Sequence, residues 1–389
     1  MSLSDKEIFS LISKVLPERD SFDSSTVLGA GSNDLKEGRD YLEALVAGGW
    51  MVPTWPAKHG GRDATEEESD RISNILGSFT VADLYPYGVG ISLVGPILFD
   101  HGTPEQLDRW LYPIADGSEI WCQMFSEPDA GSDLANVGMS AELDGDLWKL
   151  NGSKVWTSRG SYSKWGMCLA RTSPELTKHR GLTMFAVDME SNGVDVRTLE
   201  QMNGDRHFSE VFISDVYVKD SNRIGEPGDG WGIAVQTLAL ERSSLGGRAF
   251  GGSDQTASVP TWLQDWKLNG YLESPIARQK AMKALLLHRV NQLTSMRALD
   301  EGSSSGPAGS GAKLRSVSAF KSRSFLSKDF SGAKGMLIDG KEHIEFLTGP
   351  SMSIRGGTDE VQKNILGERV LGLAGEPRVD KDKPYRDVR

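Results

Sequence analysis

Cysteine is scarce in this chain: Cys122 and Cys168 are the only two among 389 residues. Neither belongs to a CxxC motif or to a cluster with histidine, so the sequence offers no zinc site or other metal site. The pattern favours two buried free thiols in a reducing cytoplasm.

Long apolar runs and a surplus of positive charge are also missing. No stretch approaches the ~20 apolar residues of a membrane-spanning helix, and the N-terminal MSLSDKEIFSLISKVLPERDSF has no long apolar run before a small-residue cleavage site. The net charge of −11 argues against a nucleic-acid partner, because nothing offsets phosphate repulsion. We therefore expect a soluble, cytoplasmic protein with neither a membrane nor a nucleic-acid partner.

The chain is long enough for two or three sub-domains, and its character changes twice. Residues 1–118 are predicted to be helical, because apolar residues recur at helical spacing in DLKEGRDYLEALV before a Gly-Gly pair. Thr65 and Thr103 are the expected N-caps of two further helices, and Pro104 follows the second cap.

Residues 119–228 are predicted to be rich in β-strand. KWGMCLART, LTMFAVDM and SEVFISDVYV are short runs of strand-forming residues separated by polar segments. Asp144-Gly145 and Asn151-Gly152 each predict a tight hairpin turn.

Residues 229–389 are predicted to be helical again. SPIARQKAMKALLLHRVNQLTSMRAL predicts a long helix with Ser274 and Pro275 at its start. Two Gly/Ser-rich segments, FGGSDQTASVP and DEGSSSGPAGSGAK, are predicted to be loops or linkers. The order helical, β, helical narrows the choice of fold.

Two polar segments are candidates for a ligand site. In WCQMFSEPDAGSDLANV, residues 121–137, hydroxyls and backbone amides could bind a planar heterocycle, or the segment could be a surface loop. In NGSKVWTSRG, residues 151–160, Trp156 could be a core residue, or it could pack on an aromatic ring system whose edge the following hydroxyls bond.

Three motifs occur in a characteristic order: FSEPDAGSD, LNGSKVWTS and GGTDEVQKNILGERVLGL, after MVPTWPAKHGGRDAT at residues 51–65. Together they resemble the acyl-CoA dehydrogenase family, with a pattern similar to its actinobacterial type, and the likeness covers nearly the whole chain. The resemblance implies an α+β fold with an N-terminal helical domain, a β-barrel-like middle domain and a C-terminal four-helix bundle. Residues 118 and 228 are the expected domain limits.

The resemblance also implies a reaction. FAD would be the cofactor, and an acyl-CoA thioester would lose an α-proton and a β-hydride, the latter to flavin N5, to give a trans-2-enoyl-CoA. An electron-transfer flavoprotein would accept the electrons. Ser126 would bond the flavin edge, Trp156 would lie against the ring, and Ser132 would face the CoA. The full set implied to bind the cofactor is Gln123, Met124, Phe125, Ser126, Ser132, Trp156, Thr157, Ser158, Thr358 and Glu360.

The general base is displaced in this sequence. Where the family most often has a Glu directly before Gly-Thr, this chain has Gly356. A minority, including isovaleryl-CoA dehydrogenase, has a Leu-x-Leu-Glu-Arg pattern instead, and TLALERSSLGG resembles it with Glu241 and Arg242. The resemblance implies Glu241 as the base, with Ser132, Arg242 and Gly356 beside the substrate. Without it, Glu241 would be taken for a surface carboxylate or a partner of Arg242.

Contacts from a neighbouring subunit, which complete the FAD site in the family's homotetramers, have no clear counterpart here. TWLQDWKLNGYLE has no arginine, and GAKGMLIDGKEHIEF has one glycine at a time. Some similar enzymes that act on sterol side chains assemble from two different chains. The sequence leaves open a homo- or hetero-oligomer (dimer or tetramer), a non-catalytic partner subunit, and an oxidase of the same fold. The space at Gly356 suits short branched chains and steroid side chains equally.

Overall fold

The structure is a computed structural model that describes residues 3–18, 35–243, 259–300, 307–337, 340–378 and 380–388. Its helices are α1 (Asp5–Ile12), α2 (Leu35–Val46), α3 (Glu66–Leu76), α4 (Gly95–His101), α5 (Pro104–Ala115), α6 (Gly230–Ser243), α7 (Thr261–Leu268), α8 (Pro275–Asp300), α9 (Pro307–Phe330), α10 (Lys341–Met352) and α11 (Asp359–Ile365). Its strands are β1 (Trp121–Met124), β2 (Ser140–Asp144), β3 (Leu147–Ser158), β4 (Trp165–Arg171), β5 (Leu182–Asp188), β6 (Val194–Leu199), β7 (Phe208–Lys219) and β8 (Arg223–Ile224). Within these ranges, none of the helices has the length and apolarity needed to cross a bilayer.

The described strands form one sheet in the order β6-β7-β3-β2-β4-β5-β8, with β1 added parallel to β4. The α+β fold class is confirmed, because helices precede and follow this sheet. The expectation of a barrel-like middle domain is corrected, because the described sheet is open. Its edge strand β8 spans only Arg223–Ile224 and pairs with β5, so it does not reach β6 at the other edge.

Two predicted helix starts are confirmed. Thr65 Oγ1 accepts a hydrogen bond from Glu68 N at 3.2 Å, and Thr103 Oγ1 accepts one from Gln106 N at 3.3 Å. Gln106 Oε1 in turn accepts from Thr103 N at 3.0 Å, which completes a capping box. Because these bonds satisfy N–H groups that a helix leaves unpaired, a short sequence signature is enough to predict them.

One predicted hairpin turn is confirmed and the other is wrong. β2 ends at Asp144 and the chain reverses at Gly145 into β3. Asn151-Gly152 lies inside β3 instead, where the pairing with β7 shifts register. A Cβ on Gly152 would lie 2.9 Å from Met139 Cα. Glycine is therefore needed at this position for the close approach of the segment just before β2 and not for a turn.

One predicted linker is partly wrong. The second half of DEGSSSGPAGSGAK is helical, because α9 begins at Pro307, and proline is well suited to the first turn of a helix. Residues 309–311, Gly-Ser-Gly, are buried, so their small size serves helix packing and not flexibility. Most of the other segment, FGGSDQTASVP, lies outside the described residues.

Three tryptophans join the N-terminal helices to the sheet. Trp110 of α5, Trp121 of β1 and Trp165 of β4 have ring centroids 5.5, 5.6 and 5.8 Å apart and belong to one buried cluster. Ile233 and Ala234 of α6 belong to the same cluster. Since α6 also contacts α9, which packs on α8, α10 and α11, this helix links the sheet to the C-terminal helices.

Both cysteines are buried free thiols, as predicted. Burial raises the pKa of Cys122 to about 12 and that of Cys168 to about 11. Because the thiolate is the nucleophilic form, neither cysteine is a candidate nucleophile near neutral pH.

Candidate active site

Trp156 projects from a bulge in β3. The pairing of β3 with β7 shifts register between Lys154 and Thr157, and Trp156 within this bulge has a φ of 58°. A bulky residue in this left-handed region is strained, and such strain concentrates at functional sites. The Trp156 side chain is 59% exposed, so it is not a core residue and its ring is available to a planar ligand.

Hydroxyl groups stand directly beside this ring. Thr157 is buried, and its Oγ1 has no hydrogen-bond partner among the described residues. Ser158 is half-buried. Because buried hydroxyls are normally satisfied, Thr157 Oγ1 is a group to which a bound ligand could supply the missing partner.

A buried ion pair holds the two predicted ligand segments together. Lys154 Nζ lies 2.8 Å from Glu127 Oε1, and it also donates to the carbonyls of Phe125 at 3.0 Å and Leu169 at 2.7 Å. Glu127 accepts in addition from Met139 N at 3.0 Å. Sequence reasoning missed both charged residues, although an inward-facing lysine in an alternating strand was a signal that could have revealed them.

The backbone also joins these segments. Val155 N donates to Ser126 O at 2.9 Å, so Ser126 lies next to the bulge that carries Trp156. The structure thus brings together two motifs that the sequence shows about 30 residues apart, because β1 continues into a turn that runs beside β3.

The other residues predicted in the first segment differ in their surroundings. Met124 and Phe125 are core side chains, so only their backbone groups can face a ligand. Gln123 is half-buried in β1, and Ser132 is exposed in the turn that follows. Their roles as cofactor contacts stay predictions.

The Gly356-Gly357 pair makes the tight connection between α10 and α11. Their φ angles are 63° and 86°, in the left-handed region that favours glycine. Gln362 Nε2 donates to Gly356 O, and Lys313 Nζ donates to Gly357 O, both at 2.9 Å. A Cβ on Gly357 would collide with Gln362 Nε2. At Gly356 the left-handed φ alone makes any L side chain, a carboxylate included, strained.

Thr358 and Glu360 follow the glycine pair. Thr358 is the N-cap of α11 and accepts from Val361 N at 3.2 Å, and Lys313 Nζ reaches Asp359 Oδ1 at 2.9 Å. Glu360 is exposed in the first turn. As cofactor contacts, both residues stay predictions.

Glu241 lies in the last turn of α6 and is half-buried. Leu238 and Leu240 of the same helix pack against the buried cluster that contains the three tryptophans. Thr237 Oγ1 donates to Ile233 O at 2.8 Å. Glu241 is therefore less solvated than a typical surface carboxylate. The side chain of Arg242 lies outside the described residues.

A buried polar cluster, which sequence reasoning missed, surrounds Tyr85. The guanidinium carbon of Arg159 lies 3.8 Å from the centroid of the Tyr85 ring, and Arg159 N donates to His207 O at 2.7 Å. His207 meets the Tyr85 ring edge-on at 5.3 Å, and its Nδ1 lies 2.9 Å from Asp205 Oδ2. These residues come from three distant parts of the chain, so no local pattern could have grouped them.

Arg355 links this cluster to Trp156. Its guanidinium carbon lies 5.7 Å from the Phe208 ring centroid, and Phe208 meets Trp156 edge-on at 5.9 Å. Burial raises the pKa of Tyr85, and the charges of Arg159 and Arg355 oppose that rise. Burial also lowers the pKa of Arg355, but a guanidinium group keeps its charge in proteins.

Three protein-family models match successive parts of the chain. They are the acyl-CoA dehydrogenase N-terminal domain at residues 30–118, the middle domain at 122–216 and the C-terminal domain at 228–371. The chain belongs to the acyl-CoA dehydrogenase family. The family resemblance seen in the motifs is thereby confirmed. This acyl-CoA dehydrogenase is an oxidoreductase, and members of its family depend on FAD.

Mycobacterial proteins are among the relatives of this acyl-CoA dehydrogenase. The acyl-CoA dehydrogenase IpdE1 of Mycolicibacterium smegmatis is 33% identical over 360 residues, which are 88% of this chain and 89% of that protein. FadE34 of Mycobacterium tuberculosis is 34% identical over 334 residues, but these are 85% of this chain and only 45% of FadE34. The ChsE4-ChsE5 complex from Mycobacterium tuberculosis has a similar structure, with a TM-score of 0.72 and 25% identity over 97% of this chain and 100% of that one.

Proposed function

We propose that this acyl-CoA dehydrogenase converts an acyl-CoA to its trans-2-enoyl-CoA, with Glu241 as the base that accepts the α-proton. The observation that carries the proposal is the lack of a side chain at Gly356, directly before Gly357-Thr358, where the family most often has its base. Because this position offers no carboxylate, the base must be another residue, and half-buried Glu241 occupies the alternative Leu-x-Leu-Glu-Arg position.

The residues around Trp156 fit the family's FAD. The exposed indole offers a face to an aromatic ring, and Thr157 Oγ1 lacks a partner that a ring edge could supply. When bound, FAD supplies the acceptor for the β-hydride at flavin N5. The remaining proposed contacts are the backbone of Met124 and Phe125, the polar residues Gln123, Ser126, Ser132 and Ser158, and Thr358 and Glu360 on the phosphate and adenosine side.

The chain's own part in the reaction is positioning and proton transfer. Ser132 and Arg242 are proposed to hold the CoA thioester, so that the substrate Cα faces Glu241. Because Gly356 has no side chain, it leaves room for a branched or bulky acyl group beside the residues proposed to bind the flavin. A positioned general base of this kind contributes about 10²–10⁴-fold to the rate of proton transfer.

Anaerobic mixing with acyl-CoA thioesters tests the proposed function. We expect at least one thioester to reduce the bound flavin of the FAD-loaded protein, measured as loss of oxidised-flavin absorbance. Reoxidation is expected to be faster with an electron-transfer flavoprotein than with air, and the reverse order would indicate an oxidase. If no thioester reduces the flavin, even after a related partner chain is supplied, the chain is a non-catalytic subunit.

Helix α8 carries an apolar stripe that supports assembly with another chain. Its buried side includes Ala281 and Ala284, whereas six apolar side chains on the rest of the helix are 46% to 68% exposed: Ile276, Met282, Leu286, Val290, Leu293 and Met296. Contiguous exposed apolar side chains are typical of interaction surfaces. ChsE4-ChsE5 is a complex of two proteins. We propose that this stripe packs against an identical or related chain in a dimer or tetramer.

The double substitution Leu286→Lys with Leu293→Lys is expected to reduce the oligomer to a smaller species, because two buried charges would oppose the contact. Size-exclusion chromatography with light scattering measures the mass. Leu268→Lys is the matched control, since Leu268 is 85% exposed at the end of α7 and lies off the stripe. An unchanged mass for the double variant would exclude α8 from the interface.

A further inference from the structure

Residues 380–388, here called the return segment, fold back onto the loop that connects β4 to β5. Tyr385 N donates to Leu176 O at 2.8 Å, and Arg386 N donates to Pro174 O at 3.1 Å. The Tyr385 side chain is buried in this contact and is only 5% exposed. Because the return segment follows α11 in the chain, it ties the C-terminal helices to the sheet.

The ring of Tyr385 lies on a buried arginine. The guanidinium carbon of Arg171 is 3.5 Å from the centroid of this ring, and Arg171 is 4% exposed. Arg171 Nη2 donates to Ala135 O at 2.7 Å, and Arg171 Nε donates to Val137 O at 3.0 Å. Tyr385 Oη donates to Asn136 O at 3.4 Å. The pair therefore binds three successive carbonyls at the end of the first predicted ligand segment.

Lys178, in the same β4–β5 loop, makes a second link that lies closer to Ser132. Its Nζ is 2.9 Å from Asp133 Oδ2 and 2.6 Å from Asp380 Oδ2, and its side chain is 13% exposed. Asp133 directly follows Ser132, the residue proposed to hold the CoA thioester. One lysine thus connects the return segment to the neighbour of a proposed substrate contact.

The turn that carries Ser132 depends on such links for its shape. Residues 131–139 belong to no strand, so the bonds of a sheet do not fix their backbone. Glu127 fixes the end of this stretch, because its carboxylate accepts from Gly138 N at 2.7 Å and from Met139 N at 3.0 Å. Arg171 and Lys178 support the part that lies next to Ser132.

We propose that Tyr385 and Lys178 are positioning residues for the acyl-CoA. Tyr385 acts through Arg171, and Lys178 acts through Asp133, to hold the turn that carries Ser132 in the shape that binds the thioester. A loop that is already in its bound conformation binds more tightly, because less entropy is lost on binding. This inference rests on the proposed function, because it assumes that Ser132 contacts an acyl-CoA.

Tyr385→Ala and Lys178→Met test the proposal in the FAD-loaded protein. The first probe is acetyl-CoA, which has the thioester but no β-carbon to oxidise, so calorimetry measures its binding without turnover. We expect its dissociation constant to rise by about tenfold in each variant, the order of magnitude for lost preorganisation of a few side chains.

Anaerobic stopped-flow measurements with oxidisable acyl-CoA thioesters give the second readout. The substrate concentration for half-maximal flavin reduction should rise by a similar factor. The limiting rate at saturating substrate should change by less than about twofold, because the links described above do not involve Glu241 or Trp156.

Two further variants serve as controls. Tyr385→Phe keeps the ring on Arg171 and loses only the hydrogen bond to Asn136, so it should restore most of the affinity. Arg386→Gln is the matched control in the return segment, because the Arg386 side chain is 66% exposed and its backbone bond is kept. It should leave affinity and limiting rate unchanged. Retained FAD absorbance and the urea midpoint report the folding of each variant.

The outcomes separate positioning from stability and from the proposed function. A lower urea midpoint with unchanged thioester affinity would show that both residues only stabilise the fold, and it would overturn the proposal. If the variants bind acetyl-CoA more weakly but no thioester reduces the flavin of any protein, the positioning role stands and the proposed function fails. If the unmodified protein neither binds acetyl-CoA nor is reduced by a thioester, both fail.

Asp380→Asn decides the question where Tyr385→Ala or Lys178→Met does not fold. It removes only the charge that pairs with Lys178 in the return segment, at a side chain that is 21% exposed. Weaker binding of acetyl-CoA at an unchanged limiting rate supports the proposal, and an unchanged affinity counts against it.

Discussion

Replacing Glu241 with glutamine is expected to slow flavin reduction by acyl-CoA by about 10²–10⁴-fold or more. Glutamine keeps the size of the side chain but cannot accept the α-proton, so substrate binding should change much less than the chemical step. Anaerobic stopped-flow measurement of flavin absorbance, at saturating substrate, isolates that step. The variant should retain FAD, because Glu241 is at the end of α6 and is not one of the residues proposed to bind the cofactor.

Glu226→Gln is the matched control for this experiment. The Glu226 side chain is 79% exposed and pairs with Arg223, before the start of α6. Surface substitutions of this kind usually change free energies by less than about 0.5 kcal/mol, so a near-normal rate is expected. A near-normal rate for Glu241→Gln itself would remove Glu241 as the base.

Gly356→Glu would restore a carboxylate at the family's usual position, and we expect it to destabilise the fold. A side chain in left-handed conformation costs about 1–2 kcal/mol. Gly356→Ala separates this strain from any effect of charge, and urea denaturation of both variants measures it. Equal stability of all three proteins would show that the backbone at Gly356 does not exclude a base.

Lys154→Met is expected to lower the free energy of unfolding strongly. The change leaves Glu127 as a buried carboxylate without its cation, and removing one partner of a buried ion pair typically lowers the free energy of unfolding by about 3–5 kcal/mol. It also removes the hydrogen bond from Lys154 Nζ to the carbonyl of Phe125, which is next to Ser126, a proposed flavin contact. We therefore expect a lower urea midpoint together with weaker FAD retention, both measured on the purified protein.

Two further variants make this prediction specific. Lys149→Met changes another lysine of β3, whose side chain is 34% exposed and pairs with Asp215. It should lower the free energy of unfolding far less than Lys154→Met does, because exposed ion pairs contribute little to stability. The double variant Lys154→Met with Glu127→Gln should lose less stability than the two single changes added together, because it leaves no buried charge. Additive losses would show that the two side chains do not act as a pair.

Part of this structure was predictable from local patterns, for local physical reasons. A cap such as Thr103 with Gln106 is complete within four residues, and the motif around Trp156 marks a family without reference to the rest of the chain. The domain limits at 118 and 228 and the roles of individual site residues stay predictions, because they depend on contacts that the sequence order does not show.

Sequence alone determined the helical, β, helical order, the family and the absence of a carboxylate at Gly356, since each depends on residue identity within a short segment. Tertiary structure decided the rest. Asn151-Gly152 resembles a turn, yet the close approach of Met139 requires that glycine inside a strand. Arg159 and Tyr85 are far apart in the chain, and their side chains meet only because the sheet and the N-terminal helices converge there.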